Sequence, residues 1–236
     1  MSALMGSGAL ALWLDVAAHL DYETDGWYID EHLPDRIDTG GYLRARRYQA
    51  VEGEPAYFSL FEASTPEALA SEGYLSLVGK ISDQSQRIRA GFSNVVRNTF
   101  RVRASMGRGV GAAVASLRLK VSGADPAGLA AAMDEQVPAL LRWHGIVGVH
   151  WMEAAPEVRA RMDSVRAVGQ QDRSADYVLL IEATRAAEIL PLRATLLSAT
   201  ALAELGWSEE GFGIYSLLYE VSGRPAGNEI ILGDRI

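Results

Sequence analysis

A spacing that occurs twice constrains this chain of 236 residues more than anything else in it. Pro34 stands seven residues before Gly41 and Pro138 seven before Gly145, so the pattern returns after 104 residues. Glu31 and Leu33 meet Glu135 and Val137 at the same offset. Further on, Tyr57 to Glu62 (YFSLFE) matches Tyr177 to Glu182 (YVLLIE) at an offset of 120, as if the second copy had a longer link between its second and third strands. Two divergent copies of one fold unit account for both offsets.

The first copy opens with a short apolar strand, Ala9 to Asp15, in which Leu10, Leu12 and Leu14 share one face. Helical spacing follows from His19 to Ile37, broken near Pro34, which has no backbone donor and crowds the preceding turn. Gly40 and Gly41 turn the chain into a strand, Tyr42 to Val51. Alternation there puts Arg44, Arg46 and Tyr48 on one side and Leu43, Ala45 and Arg47 on the other. A third strand, Tyr57 to Glu62, leads to a helix opened by Thr65 and Pro66 and running to about Val78. Lys80 to Phe92 reads as a surface loop and Thr99 to Ser105 as a fourth strand. Gly107, Gly109 and Gly111 punctuate the passage to the second copy, which sets units of 1–107 and 108–236.

The second copy repeats the order. Its segments are a strand at Ala112 to Lys120, a helix from Pro126 to about Leu141, a strand at Ile146 to Glu153, and a polar stretch, partly helical, from Ala154 to Ala175. Then come the strand Tyr177 to Glu182, a long helix from Ala186 to Leu205, a strand from Phe212 to Val221, and a tail, Ser222 to Ile236. Each copy is therefore a ferredoxin-like β-α-β-β-α-β unit of the α+β class, two helices covering one face of a four-stranded antiparallel sheet. The other sheet face needs a partner, and two copies supply it by packing sheet on sheet.

Composition narrows the functions open to such a chain. A net charge of -8 argues against a nonspecific nucleic-acid binder, which needs a continuous cationic surface. The absence of cysteine removes disulfides, thiolate metal sites and cysteine nucleophiles, and it fits a reducing, cytoplasmic setting. No basic region precedes the mildly apolar first twelve residues as in an export signal, and no run reaches the ~18 apolar residues of a membrane span.

The run Trp27, Tyr28, Glu31, His32, Leu33, Pro34, Arg36, Gly41, Tyr42, Arg44, Arg47 and Tyr48 resembles the dimeric α+β barrel superfamily, in particular its EthD-like branches. The likeness is strongest from Ala9 to Glu62 and reaches the second copy through strand pattern and the Pro138 to Gly145 spacing. It implies two sheets paired as a barrel with a pocket. The chemistries it implies are cofactor-free monooxygenases, lactone isomerases, dehydratases or lyases on small carbon compounds, and haem-using branches. The motif Glu-His-x-Pro maps to Glu31, His32, Leu33 and Pro34. Gln136 stands where His32 would recur, so imidazole chemistry belongs to the first copy alone and the second serves as its mate. Pairing of whole chains into a homodimer stays open.

His32 is the candidate catalytic residue, a proton carrier near neutral pH if it faces a pocket and a helix-end cap if it does not. Glu31 points elsewhere on the helix and is expected to pair with Arg46 or Arg47. Arg44, Arg46 and Arg47 offer forked donors to a substrate carboxylate, although alternation separates Arg47 from the other two. Arg101 and Arg103 share a side of the fourth strand and either hold an anion or close the seam between copies. Trp27, Tyr28 and Tyr48 are candidate walls of an aromatic pocket, or ordinary core. Histidines at 19, 32, 144 and 150 show no metal-ligand spacing, and no glycine-rich phosphate loop or nucleophile elbow is present. No cofactor is expected. The combined expectation is a lyase, dehydratase or isomerase acting on a small aromatic or apolar carboxylate, with a cofactor-free monooxygenase or a noncatalytic binding protein as alternatives.

Overall fold

Among the described residues, eight strands carry the fold. In the first half they are β1 (Gly8–Val16), β2 (Tyr42–Gly53), β3 (Tyr57–Ala63) and β4 (Phe92–Gly107), and in the second β5 (Ala113–Val121), β6 (Ile146–Ala154), β7 (Tyr177–Ala183) and β8 (Trp207–Ser222). The computed structural model describes residues 4–123, 125–165 and 172–223. The hydrogen-bonded order is β1-β3-β2-β8-β5-β7-β6-β4, and β4 returns to β1, closing an antiparallel barrel. A single four-stranded unit would expose two edges; here β2 takes β8 and β4 takes β6, so no edge is left open.

The two offsets in the sequence correspond to equal registers in the sheet. Arg44 pairs with Glu62 and Gly148 with Glu182, and both ladders shift at the same place, after Tyr42 and after Ile146. Arg46 therefore corresponds to His150, Arg47 to Trp151 and Glu62 to Glu182. The strands β4 and β8 each run for 16 residues, well past the expected Thr99 to Ser105 and Phe212 to Val221. Each must pair with its own unit and with the other one, which a shorter strand could not do.

Alternation sends side chains to two environments. Trp13, Tyr48, Phe58, Leu60, Phe100, Met152, Leu180 and Tyr215 fill the barrel interior. Outward-facing Leu10, Ala45 and Phe61 pack beneath the helical layer of the first half, and Leu117, Trp151, Leu179 and Ile181 beneath that of the second.

The first helical layer holds α1 (Asp21–Trp27), α2 (Leu33–Asp38), α3 (Glu72–Val78) and α4 (Asp83–Ala90). The second holds α5 (Pro126–Leu140), α6 (Pro156–Asp163), α7 (Leu190–Ala194) and α8 (Ala199–Glu204), although Val158 and Met162 of α6 reach across into the first-half core. The expected loop from Lys80 to Phe92 contains α4, started by Ser82, whose Oγ accepts the Ser85 N–H at 3.0 Å. The helix expected from Pro66 to Val78 is split, because extended Ser71 ends a 3-10 turn at Glu67–Ala70 and caps α3. The helix expected over Ala186 to Leu205 is likewise divided, with Ser198 capping α8. Of the expected tail only Ser222 and Gly223 lie within the described residues. Among those residues, no helix is long and apolar enough to cross a membrane.

Candidate functional site

Between α1 and α2 the helix widens into a π turn, Tyr28–His32, in which the Leu33 N–H donates to the Tyr28 carbonyl. Pro34 sits just beyond it and has no N–H to return to that turn, so the ordinary ladder is already interrupted there. The wider turn brings both Tyr28 and His32 inward, and His32 is only 6% exposed. Its ring lies 4.1 Å from Trp27, 4.6 Å from Tyr28 and 6.1 Å from Phe61, and its Nδ1 has no hydrogen-bond partner among the described residues.

Arg36 follows one helical turn later on the same face. It is also 6% exposed, and its Nη1 donates to the His32 carbonyl at 2.7 Å. The guanidinium sits 5.9 Å from both the Phe61 and the Tyr74 ring centres. Among the described residues no carboxylate oxygen lies within 4.0 Å of it. A buried cation in that position is costly unless a negative group completes it.

His32 and Arg36 border a cavity of about 120 Å³ between the outer face of the first sheet and its helices. Leu10, Leu12, Leu14 and Phe61 form its floor, and Tyr74, Val78, Phe92 and Val95 its sides. Arg89, Arg97 and Asp172 complete the polar part, and an adjoining recess shares His32, Arg36 and Arg89 and is bordered by Lys80. Arg97 is held by Asp163 and by Asp172, the latter at 3.1 Å. Burial, with the nearby charges of Arg36, Arg89 and Arg47, holds His32 well below its ordinary range, so it is a neutral imidazole at neutral pH.

Glu31 does not pair with Arg46 or Arg47. Its carboxylate accepts from Ser82 and Ser85 hydroxyls, both at 2.8 Å, and the Trp27 indole donates to Ser85 at 3.0 Å. Burial pushes Glu31 up, but those hydroxyls prevail and hold it below its usual range. The motif acid thus ties the π turn to the start of α4.

The expected substrate-binding residues are not gathered in the cavity. Arg44, Arg46 and Tyr48 point into the barrel, as their shared side of β2 requires. Arg46 is fully buried, donating to Glu62 at 2.8 Å and to Glu182 at 2.6 Å, while Arg44 pairs with Glu62 at 2.8 Å. Glu182 also meets His150 Nε2 at 3.1 Å, and His150 Nδ1 lies 2.8 Å from Ser105 Oγ. Burial alone pushes Glu182 up; its bond to His150 and the Arg46 charge reverse this and hold it at about 2. Arg47 faces outward, its guanidinium 4.1 Å from the Tyr28 ring centre and 4.2 Å from that of Tyr57, and it pairs with Asp25 at 2.8 Å. Arg101 pairs with Glu157 at 3.2 Å, and Arg103 with Asp134 at 2.7 Å and Glu153 at 2.8 Å, so both brace the exposed seam. Trp27 and Tyr28 do pack on His32. Arg36, Tyr74 and Arg89 went unrecognised as site residues, although the four-residue step from His32 to Arg36 was readable as a shared helix face.

No family model and no curated protein matches the chain. Solved structures do share its fold. An anthrone oxidase-like protein superposes with a TM-score of 0.60 at 13% identity, over 95% of this chain and 97% of that one. A candidate monooxygenase from Fusobacterium nucleatum gives 0.54 at 10% identity, over 93% and 96% of the two chains. A heme-binding protein from Thermus thermophilus gives 0.54 at 11%, over 91% and 92%. At about 120 Å³ the His32 cavity is far smaller than the ~300–1,000 Å³ of clefts that take cofactor-sized ligands, so a haem does not fit it. The likeness is one of fold: this chain is a ferredoxin-like α+β barrel of the architecture found in monooxygenase-like proteins.

Proposed function

We propose that this chain is a cofactor-free oxygenase acting on a small aromatic anion bound in the His32 cavity. One observation carries the reading: among the described residues, a histidine with no hydrogen-bond partner on Nδ1 and a buried arginine with no carboxylate oxygen within 4.0 Å border one mostly apolar cavity. In this reading His32 takes a proton from an acidified C–H of the substrate, and Arg36 holds the oxygen onto which the electron pair delocalises. The electron-rich substrate then reduces dioxygen. A new C–O bond forms, one oxygen atom stays in a carbonyl product, and the other leaves as water with the two hydrogens lost from the carbon.

Lyase, dehydratase and isomerase reactions share the first step. A dehydratase also needs an acid at the departing hydroxyl, in addition to the group that takes the first proton. The oxidase-like and monooxygenase-like descriptions of structures with this fold favour the oxygen-dependent course. Oxygen uptake with a panel of enolisable aromatic acids and phenols tests it. Uptake is expected to fall ~10²–10⁴-fold in His32→Gln, with ligand binding retained. Equal product yield in the absence of oxygen would overturn the oxygenase reading.

A further inference from the structure

We infer that the cavity is shaped for a single aromatic ring bearing one anionic group, and that fused-ring substrates are excluded. This rests on the reading of the His32 cavity as the substrate site and narrows it to a chemical class.

Size is the first argument. An engineered apolar cavity of about 150 Å³ in another protein accepts benzene, so a space of about 120 Å³ holds one ring and little more. Its floor cannot withdraw to admit a second ring. Leu10, Leu12 and Leu14 stand on β1, which is hydrogen-bonded to β3 on one side and β4 on the other, and the opposite face of β1 carries Trp13 stacked 5.1 Å from Phe58 in the barrel interior. Displacing that strand would disrupt the barrel.

Charge is the second. Three arginines touch the cavity, but Arg97 is already matched by Asp163 and Asp172, and Arg89 has partners of its own, the Trp27 ring at 5.8 Å among them. Arg36 has cation-π contacts and a carbonyl but, among the described residues, no carboxylate oxygen within 4.0 Å. One unmatched buried cation calls for one anionic group. A ring lying against Phe61 with its anion on Arg36 places the carbon beside that group close to His32, which shares the helix face.

Calorimetric titration of the whole protein with benzoate, benzamide, phthalate and 2-naphthoate tests the assignment. Benzoate is expected to bind at least tenfold more tightly than benzamide and than 2-naphthoate, with phthalate gaining nothing over benzoate. The benzoate–benzamide contrast is read on the unaltered chain and so does not depend on a variant folding. Arg36→Met should abolish that contrast, and Leu12→Phe should weaken benzoate at least tenfold. If 2-naphthoate matches or exceeds benzoate while the Arg36 dependence holds, the single-ring assignment fails and the anion site stands. If benzoate and benzamide bind alike, or neither binds, the substrate-site reading itself fails.

Discussion

The two halves share a sheet register, yet beneath the helices of the first lies a cavity bordered by His32 and Arg36, whereas the second packs aromatic rings at the matching place and is hollowed instead at one open end, beside Val121, Pro126 and Tyr177. At the position of Arg47, held between Tyr28 and Tyr57, the second half has Trp151, stacked 5.2 Å from Tyr177 with Trp207 at its edge. Above the second sheet α5 runs for 15 residues as an ordinary helix, and Gln136, which replaces His32, is exposed. Above the first, the π turn draws His32 inward beside a cavity. The barrel interior is asymmetric too. Arg46 and His150 occupy matching positions and serve the same acid, and Gly148 replaces Arg44, where a side chain would begin 3.1 Å from His150 Nε2. The first half thus keeps space beside His32 where the second packs side chains.

The largest effect should come from the network joining the halves. Glu182→Gln leaves Arg46 and His150 without their shared carboxylate and is expected to cost ~3–5 kcal/mol in denaturant unfolding. Because Glu182 is held at about 2 against an ordinary 4.5, its contribution is complete above about pH 4.5 and is lost as pH falls from there toward 2. In Glu182→Gln that part of the acid loss should disappear.

A matched pair of core substitutions tests hollow against filled. Leu12 and Leu117 are equivalent, paired with Ser59 and Leu179 in their ladders. Leu117→Phe should cost ~1–3 kcal/mol by overpacking, whereas Leu12→Phe should cost under ~1 kcal/mol by filling space that already exists. Equal costs would break the contrast.

His32 gives a smaller, pH-selective effect. Its folded pKa is depressed, so the unfolded chain takes up a proton near 6.5 that the native state refuses. Stability is therefore full above about pH 6.5 and falls below it by up to ~1.4 kcal/mol per pH unit. His32→Gln should flatten the profile between pH 6.5 and 5. The smallest change is expected for Arg101→Ala, whose exposed pair with Glu157 is worth ~0.2–1 kcal/mol and should weaken further in salt.

Much of the fold was legible because its signals are local and repeated. The proline-to-glycine spacing and the two matching third strands set the register, and alternation correctly separated Arg44 and Arg46 from Arg47. What alternation could not say is which side of β2 faces the other sheet. Placing Arg44, Arg46 and Tyr48 inside the barrel depends on how the two sheets close, a long-range fact. The helix α4 was hidden because its charged sequence owes its place to serine capping and to Glu31, which lies far off in sequence. His32 was readable as a candidate from its motif. That its ring turns inward follows from a π turn, which shifts facing by a fraction of a turn beyond what residue spacing conveys.

A crystal structure with 4-bromobenzoate, located by the anomalous signal of its bromine, tests the central claim most directly. The expected result is a bromine peak above Leu12 and Phe61, the carboxylate on Arg36, and the carbon next to it within reach of the His32 ring. Bromine found only outside this cavity, with Arg36 and His32 untouched, would contradict the account.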